Sequence, residues 1–228
     1  MISNRRATTV AGVLYFIGTT AGVLSVVGAA ESPDYLYALA SNQTQVIVGA
    51  LFQCVMAAAY VGMAIALHPV LRQYNPTAAA GFLGFRIAAG LLNLVGVVIL
   101  LLLLNLSSQF VSAGAPISSH FQTLGVLLRD GRDLVNHVAM ILVISAGDVM
   151  CYWILHQARL VPRWLSGWGF VGIFLTVSAS LLVLCRLIAV VTPIYLALNT
   201  VLIFQQVVLA IWMITRGFNA STDARPRH

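Results

Sequence analysis

Residues 134–169, LVNHVAMILVISAGDVMCYWILHQARLVPRWLSGWG, decide the fold. The stretch opens on an apolar run from Leu134 to His156 that carries a single carboxylate, Asp148. A short turn with Arg159 and Arg163 follows, and Trp164 and Trp168 lead into the next apolar run. A bilayer-spanning helix takes about 20 apolar residues. Arginine gathers in cytoplasmic turns and tryptophan at the membrane interface. The stretch therefore reads as one crossing, a cytoplasmic turn anchored by Arg159, Arg163, Trp164 and Trp168, and the start of the return.

The rest of the chain repeats that pattern. Of its 228 residues 60% are hydrophobic and 8% charged, against roughly 25% charged in soluble domains. Too few polar groups remain to cover a soluble core, so the apolar surface must meet lipid. The composition predicts an all-α polytopic bundle of six transmembrane helices, with spans at about 10–30, 45–67, 80–104, 134–156, 168–189 and 193–215. Residues 1–218 then form one membrane domain, and 219–228 a disordered cytoplasmic tail. The first apolar run is longer than the roughly 7–15 residues of a signal-peptide core, so it reads as a retained helix. Gly18 and Gly22 give it a GxxxG face, for packing within the chain first and a homo-oligomer seam second.

Short surface helices are expected in the loops facing away from the termini. One follows Ser32-Pro33, where proline suits a first turn. Another covers His120 to Leu128, with Ser119 and Gln122 at capping-box spacing, and Gly131 should interrupt it before the fourth span. Every basic residue is arginine. Arg5, Arg6, Arg72, Arg159, Arg163, Arg216, Arg225 and Arg227 fall on one side of a six-span chain, and Arg129, Arg132 and Arg186 on the other. Positive-inside bias places both termini in the cytoplasm. Basic residues scattered through turns are no nucleic-acid footprint. Cys54, Cys151 and Cys185 lie inside apolar runs without paired spacing, which points to neither disulfides nor a CxxC metal site.

The segments AGVLYFIGT, HPVLR, FRIAAG and above all VPRWLSGWGFVG resemble the bacterial membrane proteins of domain-of-unknown-function family 4386. The resemblance covers nearly the whole chain. It implies a bundle of six or seven helices, an inner (plasma) membrane location and no assigned activity, and it brings no catalytic residues with it.

Asp148 is the sharpest chemical signal, because an ionisable group near the bilayer centre costs about 2.5–3.5 kcal/mol on insertion scales. It lies about 12 Å from the cytoplasmic end of its helix, and Arg86 about 9 Å from the same side. The third and fourth spans run antiparallel, so the two charges can pair. A pair is read as fixing helix register before it is read as a proton or substrate site. Gln53, Asn93, Gln205 and Gln206 are further intramembrane amides, which bond across helices at about 0.6 kcal/mol each or line a pocket. Histidines His68 and His156 sit at helix ends, and no ligand spacing indicates metal or haem. No cofactor is called for, and no GxSxG or phosphate loop is present. The leading expectation is a non-enzymatic membrane protein that binds a lipid-like small molecule or a partner in the bilayer. The first alternative is a small proton-coupled transporter using Asp148, and the second a membrane-embedded enzyme.

Overall fold

A computed structural model describes residues 2–115, 120–190 and 192–219, and all regular structure among them is helical. The elements are α1 (Ile2–Leu24), α2 (Gly28–Glu31), α3 (Tyr35–Ser41), α4 (Gln43–Leu71), α5 (Pro76–Ser112) and α6 (His120–Asp133). A π-helical turn, Leu134–Ala139, joins α6 to α7 (Met140–Gln157), and α8 (Arg163–Leu184) and α9 (Pro193–Thr215) follow. Six helices, with α6 and α7 counted as one through the π-turn, are long and apolar enough to cross a membrane. Side chains such as Phe174 and Leu91 point outward from them.

These helices form a closed ring. Each packs on its chain neighbours, and α9 returns to α1. Arg5 fastens the closure by donating to the last carbonyls of α9, those of Met213 (3.0 Å), Ile214 (2.9 Å) and Thr215 (2.8 Å). A guanidinium there meets the unpaired carbonyls and the negative end of the helix dipole. Both described ends of the chain therefore lie at one end of the bundle.

The helices differ from the expected spans wherever tertiary packing overrides local signals. α1 stops at Leu24 rather than continuing to residue 30, because the Ser25 hydroxyl donates back to the Gly22 carbonyl. Val27 and Ala30 then fold inward over α4. Gly49 permits that turn: any β-carbon there would collide with Val27 and crowd the Ser25 carbonyl. The short helix expected after Ser32-Pro33 is α3, but it starts at Tyr35, so Pro33 stands just before it rather than in its first turn, and the Ser32 hydroxyl accepts from the Asp34 amide. α4 runs through Pro69 to Leu71, since Val70 and Leu71 are buried.

α5 continues past Leu104 to Ser112, so its 37 residues reach about 55 Å, well beyond a hydrocarbon core of about 30 Å. The added turns carry α3: Ser107 donates to the Leu36 carbonyl, and Phe110 packs edge-on against Tyr37. α6 passes unbroken through Gly131, the expected interruption. Gly131, which costs a helix roughly 1 kcal/mol, lies between Arg129 and Arg132, whose ion pairs to Glu31 hold this part of α6 in place. Ser119, half of the expected capping box, and residues 220–228, the bulk of the expected disordered tail, lie outside the described residues. α8 begins at Arg163 rather than residue 168, directly after an extended Pro162, and ends at Leu184 instead of residue 189. α9 has the expected bounds, with Thr192 accepting from the Tyr195 amide and Pro193 in the first turn.

The GxxxG face of α1 is used within the chain. Gly18 lies against the Tyr60 ring, and Gly22 against the Met56 sulfur, both on α4.

Overpacking typically costs about 1–3 kcal/mol. Gly49→Ala should therefore lower the thermal midpoint in detergent, while Gly84→Ala, whose β-carbon would meet nothing within 4 Å, should not. Equal midpoints for the two variants would show that the α1–α2 turn is not set by this contact.

Candidate binding cavity and buried ion pair

The site grows from two facing helices. α5 and α7 run antiparallel side by side, and Gly147 on α7 lets the backbone of α5 approach at Phe82 and Phe85. At the next residue on each helix, Arg86 and Asp148 meet in an ion pair, with residue exposures of only 1% and 3%. The Arg86 guanidinium is caged by the rings of Tyr60 (5.0 Å), Phe82 (5.6 Å) and Tyr15 (5.7 Å). Its Nε and Nη1 have no hydrogen-bond partner among the described residues, so ring faces supply the rest of its solvation. Below it, toward the termini, the bundle is an apolar core that includes Leu67, Leu71, Phe82, Leu155, Leu165 and Met213.

Above the pair the ring is hollow. A cavity of about 280 Å³ extends from Asp148 and Tyr60 up to Glu31 and Arg132. Its walls alternate apolar groups, such as Met56, Ile141, Ile144 and Leu202, with polar ones. The polar walls come from α4 (Gln53), α5 (Asn93), the π-turn (Asn136, His137), α7 (Ser145), α8 (Thr176) and α9 (Tyr195, Asn199, Gln206). Asn93 Nδ2 donates to the backbone carbonyl of Gln53 at 2.8 Å, locking α5 to α4. His137 Nδ1 and the Tyr195 hydroxyl lie 2.8 Å apart and bridge the π-turn to α9. Five side-chain atoms of the lining residues are buried without a partner among the described residues: Gln53 Oε1, Arg132 Nε, Asn136 Oδ1, Ser145 Oγ and Thr176 Oγ1. Such atoms are rare in folded proteins, and around a polar cavity they are positions that water or a polar group of a ligand can answer.

The residues singled out from sequence thus separate. Arg86 and Asp148 come together, and Gln53, Asn93, Asp148 and Gln206 line one cavity. Gln205 does not join them. It accepts from the Tyr152 hydroxyl at 2.6 Å and donates to the Leu165 carbonyl at 3.1 Å, as a clasp between α7, α8 and α9. Sequence reasoning missed Tyr15 and Tyr60, which read as ordinary apolar-face residues, and the joint role of Asn136 and His137. No residue pattern announces a π-turn, a distortion that often accompanies functional sites. Asn136 fits because Gly96 on α5 has no side chain: a β-carbon there would overlap its amide. Among the described residues no group of three or more His, Cys, Asp or Glu side chains is placed to hold a metal ion.

Comparison with known families matches residues 10–217 to "Domain of unknown function (DUF4386)". The chain belongs to that family. No curated protein and no solved structure matches it. For this DUF4386 chain the PRWLSGWG segment is the staple of one end of the ring. Trp164 and Trp168 stack on the outside at 6.4 Å, and Trp164 is exposed. Ser166 meets His156 Nδ1 at 2.9 Å, and the Leu165 carbonyl takes the Gln205 amide. Gly169 leaves room for the Tyr152 ring, which a β-carbon would approach to 2.7 Å. Arg159 adopts a left-handed φ of 50° in the preceding turn, and its carbonyl accepts from Asn219.

Removing one partner of a buried ion pair usually costs about 3–5 kcal/mol, whereas removing both costs far less. Asp148→Asn and Arg86→Gln should each lower the thermal midpoint in detergent strongly, and the double variant should recover most of the loss. If Asp148→Asn is as stable as the parent, the pair is not what the carboxylate is kept for.

Proposed function

We propose that the protein is a non-enzymatic, multi-pass receptor of the bacterial inner membrane that holds a small, neutral, lipid-like molecule inside the helix ring. Both termini face the cytoplasm in this reading, as the arginine distribution supports. The observation that carries the proposal is the cavity itself. Its 280 Å³ lies near the lower end of the about 300–1,000 Å³ typical of ligand pockets. Its lining joins apolar walls to unpaired hydrogen-bonding atoms, the mixture that suits a hydrocarbon body bearing hydroxyl, carbonyl or amide groups.

Neutrality follows from the charges. Asp148 is answered by Arg86, and Glu31 and Asp133 together by Arg129 and Arg132. A charged ligand would add an unbalanced charge in low dielectric, which is costly. The proton-coupled transporter reading has less support. Asp148 would have to leave Arg86, and on the terminal side of the pair the space among Leu67, Leu155 and Met213 narrows to about 10 Å³.

The test uses 1-decanol with the purified protein in detergent. At a hundredfold excess over its dissociation constant, a ligand stabilises by about 2.7 kcal/mol. Decanol should raise the thermal midpoint of the parent, and decanoate should not. Ile144→Trp, which fills the cavity, should abolish the shift. Equal shifts in parent and Ile144→Trp would mean that decanol acts on the outer surface, and the proposal would fall.

A further inference from the structure

The cavity has a neighbour on the side away from the termini. A cleft of about 670 Å³ lies between α6 and the end of α8, with Asp130, Asp133, Arg186 and Leu187 on its walls. Glu31 belongs to both spaces. Arg132, which lines the inner cavity, holds one Glu31 oxygen at 3.1 Å, and Arg129, which lines the outer cleft, holds the other at 3.5 Å. Arg129 Nη2 also donates to the Glu31 backbone carbonyl at 3.2 Å, and its guanidinium sits 5.3 Å from the Tyr35 ring. The partition between the two spaces is therefore built largely from ion pairs between a helix of four residues and α6.

The two ends of the cavity are unlike in construction. At the inner end lies the buried Arg86–Asp148 pair with packed apolar side chains behind it. At the outer end Glu31 is carried on the short segment between α1 and α3, and its contacts are electrostatic and partly exposed. Opening there exposes Glu31 and Arg129 to water and leaves the buried Arg132 with Asp133 at 3.5 Å, whereas opening the inner end strands a charge whose one counter-ion is lost. We infer that the Glu31–Arg132–Arg129 cluster is the gate between the cavity and the outer cleft, and that molecules from the aqueous side opposite the termini reach the interior through it. This inference rests on the binding reading for its ligand, but the gate is testable without one.

Ser145, in the cavity wall, reports access when changed to cysteine in a chain whose Cys54, Cys151 and Cys185 are alanine. The probe is methyl methanethiosulfonate, applied to protein in nanodiscs. Glu31→Gln and, independently, Arg132→Gln should speed labelling about tenfold or more, as expected from losing one charged contact. Arg5→Gln, which loosens the opposite end, should leave the rate unchanged. Faster labelling in Arg5→Gln with no change in either gate variant would overturn the inference, and so would equal rates in all four chains, which would mean access between helices from lipid. Accelerated labelling in both gate variants, with no decanol stabilisation of the parent, would uphold the gate and remove the binding reading. Decanol stabilisation with gate variants that label at the parental rate would do the reverse.

Discussion

The structure depends on the solvation of one charge, the Arg86 guanidinium. A cation at this depth needs a counter-ion, and Asp148 supplies it from the facing helix. It also needs something in place of water around its remaining donors, and Tyr15, Tyr60 and Phe82 supply that from α1, α4 and α5. Four of the six ring-forming helices are thereby fixed by a single side chain. Removing lipid-facing leucines would leave this arrangement intact, whereas moving Arg86 would leave both a carboxylate and a ring cage unanswered.

The same constraint shapes the ring as a whole. Without water in the hydrocarbon, polar groups must be satisfied by other parts of the protein. Tyr152, Gln205 and the Leu165 carbonyl do this near the terminal end of the bundle, and Asn93 with the Gln53 carbonyl does so between α4 and α5. Near the middle the accounting stops closing. Gln53 Oε1, Asn136 Oδ1, Ser145 Oγ and Thr176 Oγ1 come from different walls of one cavity and remain unanswered. Ser180 Oγ and Trp212 Nε1 are unanswered elsewhere, so it is the gathering of such atoms around one space that sets the cavity apart from the packing core.

Much of this was legible in the residues, and what was not has physical reasons. Six spans follow from apolar length alone, and the meeting of Arg86 with Asp148 from their similar depths on antiparallel helices. The bounds were misread where a tertiary contact decides them. Gly131 and Pro69 are local breaking signals, overruled by the Glu31 ion pairs and by burial of Val70 and Leu71. Gln205 and Gln206 are adjacent and chemically identical, yet one faces a clasp and the other the cavity. Only the rotation of α9 distinguishes them, and sequence does not specify that rotation. The cavity was invisible for a related reason: it is a property of how the ring closes, set by Arg5 at the α9 end and by the staple at Ser166.

The PRWLSGWG turn and the Glu31 cluster divide the molecule between them. The first joins α7, α8 and α9 through a hydrogen-bonded serine, a carbonyl clasp and a glycine seated on a tyrosine ring. These contacts are short-range, directional and largely buried, so they resist separation of the helices. The second joins α2 to α6 by charges, a buried Arg132 on one Glu31 oxygen and a partly exposed Arg129 on the other, the latter exchangeable with water. A ring stapled at one end and latched at the other is suited to opening at the latch. That asymmetry favours a receptor loaded and emptied from one side over a passage from face to face, because a passage needs both ends to open in turn.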